Sequence, residues 1–290
     1  MKRLAILTFV LIWLALGCAT GGSGDACRCP RIDVYQGDNL PLMKKMPSES
    51  VDLIYIDPPF NTGRRQERKR KGGESFGYDD SFEDLQQFLR PRMVEAYRIL
   101  KPNGSLFFHI DYREVHYCKV MLDQIFGRKS FVNEIIWAYD YGARSKSRWS
   151  AKHDNILFYA KNPKSYVFNY DEIDRIPYMA PELAGPEKAA VGKTPTDVWW
   201  HTIVSPTSKE KTGYATQKPR GIIDRIVKVH SRKGDVCFDF FAGSGTLGES
   251  AYVNGRSAIL IDCNPDAIGV MRKRFADFDV RWHSSEGEGL

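Results

Sequence analysis

The stretch "VCFDFFAGSGTLGES", residues 236–250, decides the fold class because a glycine-rich turn joins an apolar strand to a helix. Gly243 and Gly245 allow a sharp turn and a close approach to a ligand, and the first turn of the helix offers unpaired N–H groups. Nucleotide phosphate is disfavoured because the loop lacks the Gly-Lys-Ser/Thr sequence of a phosphate-binding loop. The stretch therefore predicts an α/β unit that binds a ligand at the carboxyl end of its strand.

Short apolar runs alternate with longer periodic segments on both sides of this stretch, which is typical of an α/β domain with a largely parallel sheet. We predict strands near residues 32–35, 51–56, 104–110, 155–159, 236–240 and 257–261. We predict helices over residues 82–100, bent or restarted at Pro91, and over 113–126, 221–231, 246–254 and 265–275. Between about 131 and 214 the pattern loosens into aromatic, basic, proline and glycine residues, a composition that indicates a substrate-recognition insertion.

Composition excludes a disordered chain, since 290 residues with 42% hydrophobic content can bury one sizeable core. The formal net charge of +6 suits a polyanionic partner without requiring one. No CxxC pair occurs, so we predict no metal site. Cys118, Cys237 and Cys263 lie in apolar stretches and are predicted to be buried thiols.

The N-terminus conflicts with an intracellular protein. Residues 1–18 combine two basic residues, an apolar run and Cys18, and they resemble a secretory leader with an imperfect lipoprotein cleavage box. The apolar run is too short to span a bilayer comfortably. Residues 1–30 are therefore predicted to be a leader and linker, either genuine, as in an exported lipoprotein, or an artefact of a mis-assigned start or a fusion. An apolar N-terminal helix is a further alternative for the apolar run.

A second motif, "VDLIYIDPPF" at residues 51–60, ends an apolar strand in an acid. Burying Asp57 is costly unless it meets hydrogen-bond donors or a substrate. Pro58 and Pro59 stiffen the turn, so that the Asp57 carboxylate and the Pro58 carbonyl form a rigid pair of acceptors beside the flat ring of Phe60. A planar base with an exocyclic amine matches this set, because its NH₂ group donates twice and its ring stacks.

The two motifs would face one pocket if the sheet is doubly wound, because the carboxyl ends of adjacent strands then share a crevice. Asp262 ends the next strand, nineteen residues after Gly243, where an acid accepts hydrogen bonds from ribose hydroxyls. An adenosine-containing cofactor without a catalytic phosphate is indicated. S-adenosylmethionine fits, since its carboxylate and amino group would meet the glycine loop.

The Asp57-Pro58-Pro59-Phe60 motif and the "FAGSGT" motif of residues 241–246 together resemble the amino-methyltransferases of DNA. Their order along the chain resembles the beta class of that family. Further likeness lies in "HIDYREVHYCKVMLDQIFG" at 109–127, "NEIIWAY" at 133–139 and "TQKP" at 216–219, and the resemblance covers roughly residues 31–281. It implies an α/β fold with a doubly wound, Rossmann-like, mostly parallel methyltransferase sheet and an inserted target-recognition region.

The resemblance also implies roles for individual residues. Asp57 and Pro58 hold the target amine, Pro59 completes the motif, and Phe60 stacks on a base flipped out of the DNA. The residues implied to bind S-adenosylmethionine are Asp38, Phe241, Ala242, Gly243, Ser244, Gly245, Thr246, Asp262, Thr216 and Lys218. Asp38, Thr216 and Lys218 also match ordinary turn or helix-cap positions.

Two basic segments are candidates for binding DNA. Arg64, Arg65, Arg68, Lys69, Arg70 and Lys71 follow the catalytic loop and could hold phosphates. Arg144, Lys146, Arg148, Trp149 and Lys152 lie in the predicted recognition region and could read base edges. A mobile, solvated loop is the alternative for the first segment.

The resemblance predicts an S-adenosylmethionine-dependent enzyme, cytoplasmic, that methylates N6 of adenine in double-stranded DNA, since Asp-Pro-Pro usually accompanies adenine and Ser-Pro-Pro cytosine N4. N4-cytosine and RNA amine methylation stay open, as do an exported lipoprotein and a non-catalytic DNA-binding module. Residues 31–282 form the predicted catalytic domain, with a recognition region at about 131–214 and a tail at 283–290. A homodimer is compatible with the family, and any restriction endonuclease partner would be a separate chain.

Overall fold

The computed structural model describes residues 29–69, 75–205 and 207–284; the leader-like residues 1–18 together with Arg70 and Lys71 lie outside this part of the chain. The strands are β1 Ile32–Gln36, β2 Val51–Ile56, β3 Arg64–Lys69, β4 Ser75–Asp80, β5 Leu100–Ile110, β6 Phe131–Ala138, β7 His153–Ala160, β8 Val198–Trp200, β9 Val236–Asp239, β10 Ser257–Asp262 and β11 Val280–Ser284. The α-helices are α1 Asn39–Lys45, α2 Leu85–Ile99, α3 Val115–Phe126, α4 Pro181–Ala184, α5 Pro186–Val191, α6 Arg220–His230, α7 Thr246–Val253 and α8 Pro265–Arg274.

One sheet of nine described strands organises the chain, in the order β11-β1-β10-β9-β2-β5-β7-β6-β8. Every neighbouring pair is parallel except the two pairs that β7 makes with β5 and β6. The prediction of a mostly parallel sheet is therefore confirmed.

Helices cover both faces of the sheet, which confirms the doubly wound arrangement. On one face, buried residues of α6, α7 and α8 pack against strand residues such as Leu53 and Phe107. On the other face, buried residues of α1, α2 and α3 pack against strand residues such as Ile54 and Phe108. Burial on both faces explains why β2 is an unbroken apolar run rather than an alternating one.

The chain changes direction across the sheet between β2 and β9. These strands lie side by side and parallel, with Leu53 opposite Cys237 and Ile54 opposite Phe238. From β2 the chain proceeds to β5 on one side, and from β9 it proceeds to β10 on the other. This is the position at which open α/β sheets form their ligand crevice.

Several predicted boundaries were wrong for local reasons. Helix α2 begins at Leu85 rather than near residue 82 because the Asp84 side chain accepts from Gln87 N and caps it. The helix continues through Pro91 without a restart. The segment of about 131–214 contributes β6, β7 and β8 to the sheet, whereas only one strand, near residues 155–159, was predicted within it.

A two-stranded antiparallel hairpin of β3 and β4 follows the catalytic motif and was not predicted. Its first strand has the sequence "RRQERK", in which no apolar alternation signals a strand. The buried Asp80 anchors the base of the hairpin: its carboxylate accepts from Asn61 N at 2.8 Å, Thr62 N at 3.1 Å and Thr62 Oγ1 at 2.6 Å. The hairpin is thus fastened to the residues directly after Phe60.

Candidate active site

The loops that follow β2 and β9 enclose a cavity of about 320 Å³ at the carboxyl end of the sheet. Most of the predicted catalytic and cofactor residues line it: Asp57, Pro59, Phe241, Ala242, Gly243, Ser244, Thr246, Asp262, Thr216 and Lys218. The two motifs lie far apart in sequence and meet because their strands are neighbours. Tyr55, Phe82, Phe88 and Tyr214 also line the cavity and were not predicted.

Four predicted residues lie outside that lining. Pro58 is buried beneath the loop. Phe60 lies next to the cavity, with Lys218 Nζ 4.6 Å from its ring centroid. Gly245 packs against α8 behind the loop. Asp38 caps α1 through Leu40 N and forms an ion pair with Arg92 at 2.9 Å, so its contacts are those of a helix cap and its cofactor role stays a prediction.

The glycine loop takes a conformation that its sequence requires. Gly243 has a φ of 50° and Gly245 a φ of 75°, both in the left-handed region that favours glycine. Asp262 holds this loop, since its carboxylate accepts from Gly243 N at 2.7 Å and from Asn264 N at 2.8 Å. Helix α7 starts after Gly245 without a side-chain cap, so its first N–H groups remain available beside the cavity.

Three carboxylates gather around the cavity. Asp239 is buried, and burial, with further contributions from Asp57 and Asp262, raises its pKa well above the ordinary value although it accepts from Phe241 N. Burial also raises the pKa of Asp262, against the effect of its two backbone donors. The cavity wall therefore favours a cationic ligand.

Lys218 and Asp57 form an ion pair that sequence reasoning missed. Lys218 Nζ donates to both carboxylate oxygens of Asp57, at 2.7 and 2.6 Å, across 161 residues of chain. Side-chain exposures of 13% and 17% place the pair mostly away from solvent, where it is screened little. Lys218 was predicted on the cofactor side only, whereas the structure places its ammonium against Asp57, the predicted catalytic residue.

A second missed feature lies beneath the catalytic loop. Tyr55 Oη is 2.8 Å from His109 Nδ1, and His109 Nε2 is 3.1 Å from Asp154 Oδ2. Tyr139 Oη donates to Asp154 Oδ1 at 3.1 Å. In the sequence, these hydrogen-bonded residues are marked only by being polar positions within or next to apolar strands.

The described residues of the two basic segments belong to different parts of the fold. Arg64, Arg65, Arg68 and Lys69 belong to β3. Arg148 and Lys152 line a second, polar pocket of about 340 Å³ together with Asp154 and Tyr139. Arg144 pairs with Asp140, Lys146 is exposed, and Trp149 is 99% exposed.

Cys263 departs from the prediction of a buried thiol: it is exposed and borders the active-site cavity, whereas Cys118 and Cys237 are buried as predicted. Among the described residues, no group of three or more His, Cys, Asp or Glu side chains is arranged to bind a metal. In the same part of the chain, no helix has the length and apolar character that a bilayer crossing requires.

Comparison with known proteins identifies the family. The family model "DNA methylase" matches residues 51–273. Type II methyltransferase M.HpaI of Haemophilus parainfluenzae is 31% identical over 235 residues, which span 80% of this chain and 70% of that protein. DNA adenine methyltransferase YhdJ of Escherichia coli is 31% identical over 268 residues, spanning 88% and 85%. The chain belongs to the DNA methylase family.

Solved structures support the fold of this methylase. The cytosine-N4-specific PvuII DNA methyltransferase superposes with a TM-score of 0.62 at 17% identity, covering 86% of this chain and 88% of that one. The M1.HpyAVI–SAM complex superposes with a TM-score of 0.58 at 21% identity, covering 84% and 98%. The methylase uses S-adenosylmethionine as methyl donor and DNA as substrate.

The residues of the cavity fit S-adenosylmethionine. A ligand that carries a sulfonium and an ammonium group would favour the ionised forms of Asp239 and Asp262, whose pKa values are raised by burial. The backbone N–H groups around Gly243 and at the start of α7 suit its carboxylate. Phe88 and Phe241 line the cavity with apolar rings, which suit the apolar parts of such a ligand.

Replacing Asp239 with asparagine is expected to raise the free energy of unfolding of the cofactor-free methylase relative to the parent, by an amount that grows as pH rises. The raised pKa means that folded Asp239 keeps a proton that the unfolded chain releases above about pH 4. The free energy of unfolding of the parent therefore falls between the unfolded and the folded pKa, and Asp239→Asn lacks this loss. Urea unfolding at pH 4 and pH 8 measures the effect. If the free energies of unfolding of variant and parent differ by the same amount at pH 4 and pH 8, the prediction is wrong.

Replacing Lys218 with methionine is expected to lower the rate of methyl transfer about 100-fold, because Asp57 loses the group that fixes its orientation. Lys218→Arg, which keeps the charge, should recover part of this rate. Lys209→Met is the matched control, since Lys209 is an exposed lysine of the preceding loop. The measurement is the single-turnover rate with saturating cofactor and DNA. Equal rates for Lys218→Met and Lys209→Met would refute the role.

Proposed function

We propose that this methylase transfers a methyl group to N6 of adenine in double-stranded DNA. The observation that carries the proposal is the Asp57 carboxylate, which stands at the cavity wall directly after β2 and is oriented by Lys218. An acid at this place in the motif accompanies adenine in the family. The name of the Escherichia coli relative, a DNA adenine methyltransferase, supports the same base.

The first task of these residues is to hold the target amine. The Asp57 carboxylate and the Pro58 carbonyl accept its two N–H groups, and the Phe60 ring stacks on the flipped base. An exocyclic amine is a poor nucleophile because its lone pair is delocalised into the ring. Acceptors on both hydrogens favour a pyramidal nitrogen and stabilise the positive charge that develops on it.

Lys218 orients Asp57 without displacing the target amine from it. Each carboxylate oxygen has two lone pairs, so Asp57 accepts from Lys218 and from the amine at the same time. The ammonium also offsets the cost of placing Asp57 near the buried Asp239. S-adenosylmethionine, when bound, supplies an electrophilic methyl group on a sulfonium.

We assign two surfaces to DNA. Strand β3 brings basic residues next to the catalytic loop, where phosphates flank a flipped nucleotide. The segment with Arg148, Trp149 and Lys152 lies at the polar pocket beside the sheet, and we assign to it the reading of base edges. Phosphate contacts position the protein on the duplex, whereas base contacts select the sequence.

We place the methylase in the cytoplasm, where DNA and cofactor are found, although the leader-like residues 1–18 conflict with this location. Several relatives are named Type II methyltransferases, which supports a restriction endonuclease as a separate partner chain. For the methylase itself we propose a homodimer. Mass spectrometry of the mature N-terminus tests the location. A chain lipidated at Cys18 outside the cytoplasm would overturn it.

Product analysis tests the reaction. The full chain is incubated with S-adenosylmethionine and unmethylated duplex DNA of varied sequence, and the DNA is digested to nucleosides for mass spectrometry. N6-methyladenine is the expected product. N4-methylcytosine, the base in the name of the PvuII enzyme, would correct the base and keep the chemistry. Product on RNA alone, or none despite cofactor binding, would overturn the proposal.

A further inference from the structure

A row of hydrogen-bonded polar side chains crosses four adjacent strands beneath the catalytic loop. Tyr55 lies in β2, His109 in β5, Asp154 in β7, and Tyr139 directly after β6. The distances are 2.8 Å from Tyr55 Oη to His109 Nδ1, 3.1 Å from His109 Nε2 to Asp154 Oδ2, and 3.1 Å from Tyr139 Oη to Asp154 Oδ1. Every polar side-chain atom of His109 is therefore partnered.

This row is buried at a cost that packing alone does not explain. His109 has no exposed surface, Tyr55 has 2% and Asp154 has 8%. Apolar side chains at these positions would pack with the surrounding core and avoid desolvating a charged group. His230 shows the contrasting case of a buried histidine among phenylalanine rings, with its Nδ1 3.2 Å from the Val167 carbonyl oxygen. A connected network of titratable groups near a reaction centre indicates a function.

The row has an inner and an outer end. Tyr55 lines the active-site cavity and shares a face of β2 with Asp57, two residues on. Asp154 and Tyr139 line the polar surface pocket that also holds Lys152. The network thus leads from the cavity to the surface.

The partners of His109 fix the direction of its hydrogen bonds. Although burial alone would raise the pKa of Asp154, its hydrogen bonds with His109 and Tyr139 keep it below the ordinary value, so Asp154 is an acceptor. Burial and the nearby Asp57, Asp239 and Asp154 raise the pKa of Tyr55 well above its ordinary value, so the phenol keeps its proton. Neutral His109 then donates from Nε2 to Asp154 and accepts the Tyr55 hydroxyl at Nδ1.

We propose that Tyr55, His109 and Asp154 form a relay that accepts the proton released by the methylated amine; this rests on the proposed function. As the nitrogen lone pair forms the N–C bond, the C–S bond breaks and its electrons stay on sulfur. The nitrogen then carries one proton too many. That proton passes first to the Asp57 carboxylate, which already accepts one of the amine hydrogens, and from there to Tyr55 Oη. The Tyr55 hydroxyl proton passes at the same time to His109 Nδ1, which leaves an imidazolium beside the Asp154 carboxylate.

Protonation of His109 before the reaction blocks this step, because Nδ1 then has no lone pair to offer. The titratable and charged groups around the relay are Tyr55 and Asp57 from β2 and its loop, Asp154 from β7, Tyr139 after β6, Asp111 after β5, Asp239 from β9 and Lys218 before α6. Activity is therefore expected to fall on the acid side of the pH profile.

Nitrogen NMR of the full chain tests the relay without any reaction. Histidine ring ¹⁵N signals are recorded from about pH 5.5 to about pH 9, the range that spans histidine titration. The expected neutral form has Nε2 protonated and Nδ1 free, and Tyr55→Phe should shift the Nδ1 signal. Tyr159→Phe is the control, since Tyr159 is also buried but bonds Asp123 on the opposite face. A protonated Nδ1 throughout this range would overturn the relay.

Single-turnover rates across the same pH range test whether the relay takes part in methyl transfer. His109→Asn and Tyr55→Phe should each lower the rate about 10–100-fold at pH 8 with cofactor affinity unchanged, and His109→Asn should lose the acid limb. His230→Asn is the control for a buried histidine. Equal pH-independent losses in His109→Asn and His230→Asn would refute the relay. If His109→Asn fails to fold, Asp154→Asn is compared with Asp123→Asn by the same criteria.

The product of the parent separates this inference from the proposed function. N4-methylcytosine would correct the base and leave the relay intact, because that amine loses a proton in the same way. Absence of any methylated base would remove the proposed function, and the NMR tautomer would still decide whether the relay exists.

Discussion

Asp57→Ala is expected to lower the single-turnover rate of methyl transfer by at least about 1,000-fold, the loss typical of removing a preorganised group that stabilises developing charge. Asp57 is one of the two acceptors proposed for the amine, and its removal also leaves the Lys218 ammonium without its partner. The measurement is methyl incorporation into duplex DNA at saturating cofactor.

Two comparisons make this result specific. Asp57→Asn keeps the shape and one acceptor and belongs to the D/N/S pattern of the family, so it should retain part of the activity. Cofactor affinity, measured by calorimetry, should change little in either variant, because Asp239, Asp262 and the glycine loop remain. Full activity of Asp57→Ala would remove the carboxylate from the mechanism.

Gly245→Ala is expected to lower the free energy of unfolding by about 3 kcal/mol, from backbone strain and overpacking together. The φ of 75° disfavours any side chain, and a Cβ would lie 2.6 Å from Phe275 Cζ and 2.8 Å from Met271 Cγ. The aromatic ring and the helix that carries it must shift to admit a methyl group. Urea unfolding of the cofactor-free chain measures the loss.

Gly269→Ala is the matched control. Gly269 lies in α8, and a Cβ there would meet nothing within 4 Å. The change is expected to raise the free energy of unfolding by about 0.5–1 kcal/mol, because alanine favours the helix. Similar losses in both variants would show that the strain assigned to Gly245 is absent.

The features that could be predicted from sequence are those with a local signal. The apolar run of β2 and the glycine turn after β9 are each contained in about a dozen residues, and parallel strands made it possible to expect that their loops share a crevice. That expectation is confirmed by the pairing of Leu53 with Cys237. The family motifs added residue roles, which geometry alone does not assign.

The features that escaped prediction depend on distant partners. Lys218 meets Asp57 only because the segment before α6 returns to the end of β2, and no local pattern reports that. Strand β3 escaped because its charged sequence carries no period-two alternation. His109 resembled an interruption of an apolar strand until β7 placed Asp154 beside it.

Asp80 connects the β3–β4 hairpin to the Asp57-Pro58-Pro59-Phe60 motif. Its carboxylate ties the base of the β3–β4 hairpin to Asn61 and Thr62, the residues that immediately follow the Asp57-Pro58-Pro59-Phe60 motif. If DNA docks on the hairpin as proposed, a force that it applies there would reach the motif through the Asp80 hydrogen bonds. The proposed contact with the DNA backbone and the proposed presentation of Asp57 to a base would then be mechanically coupled.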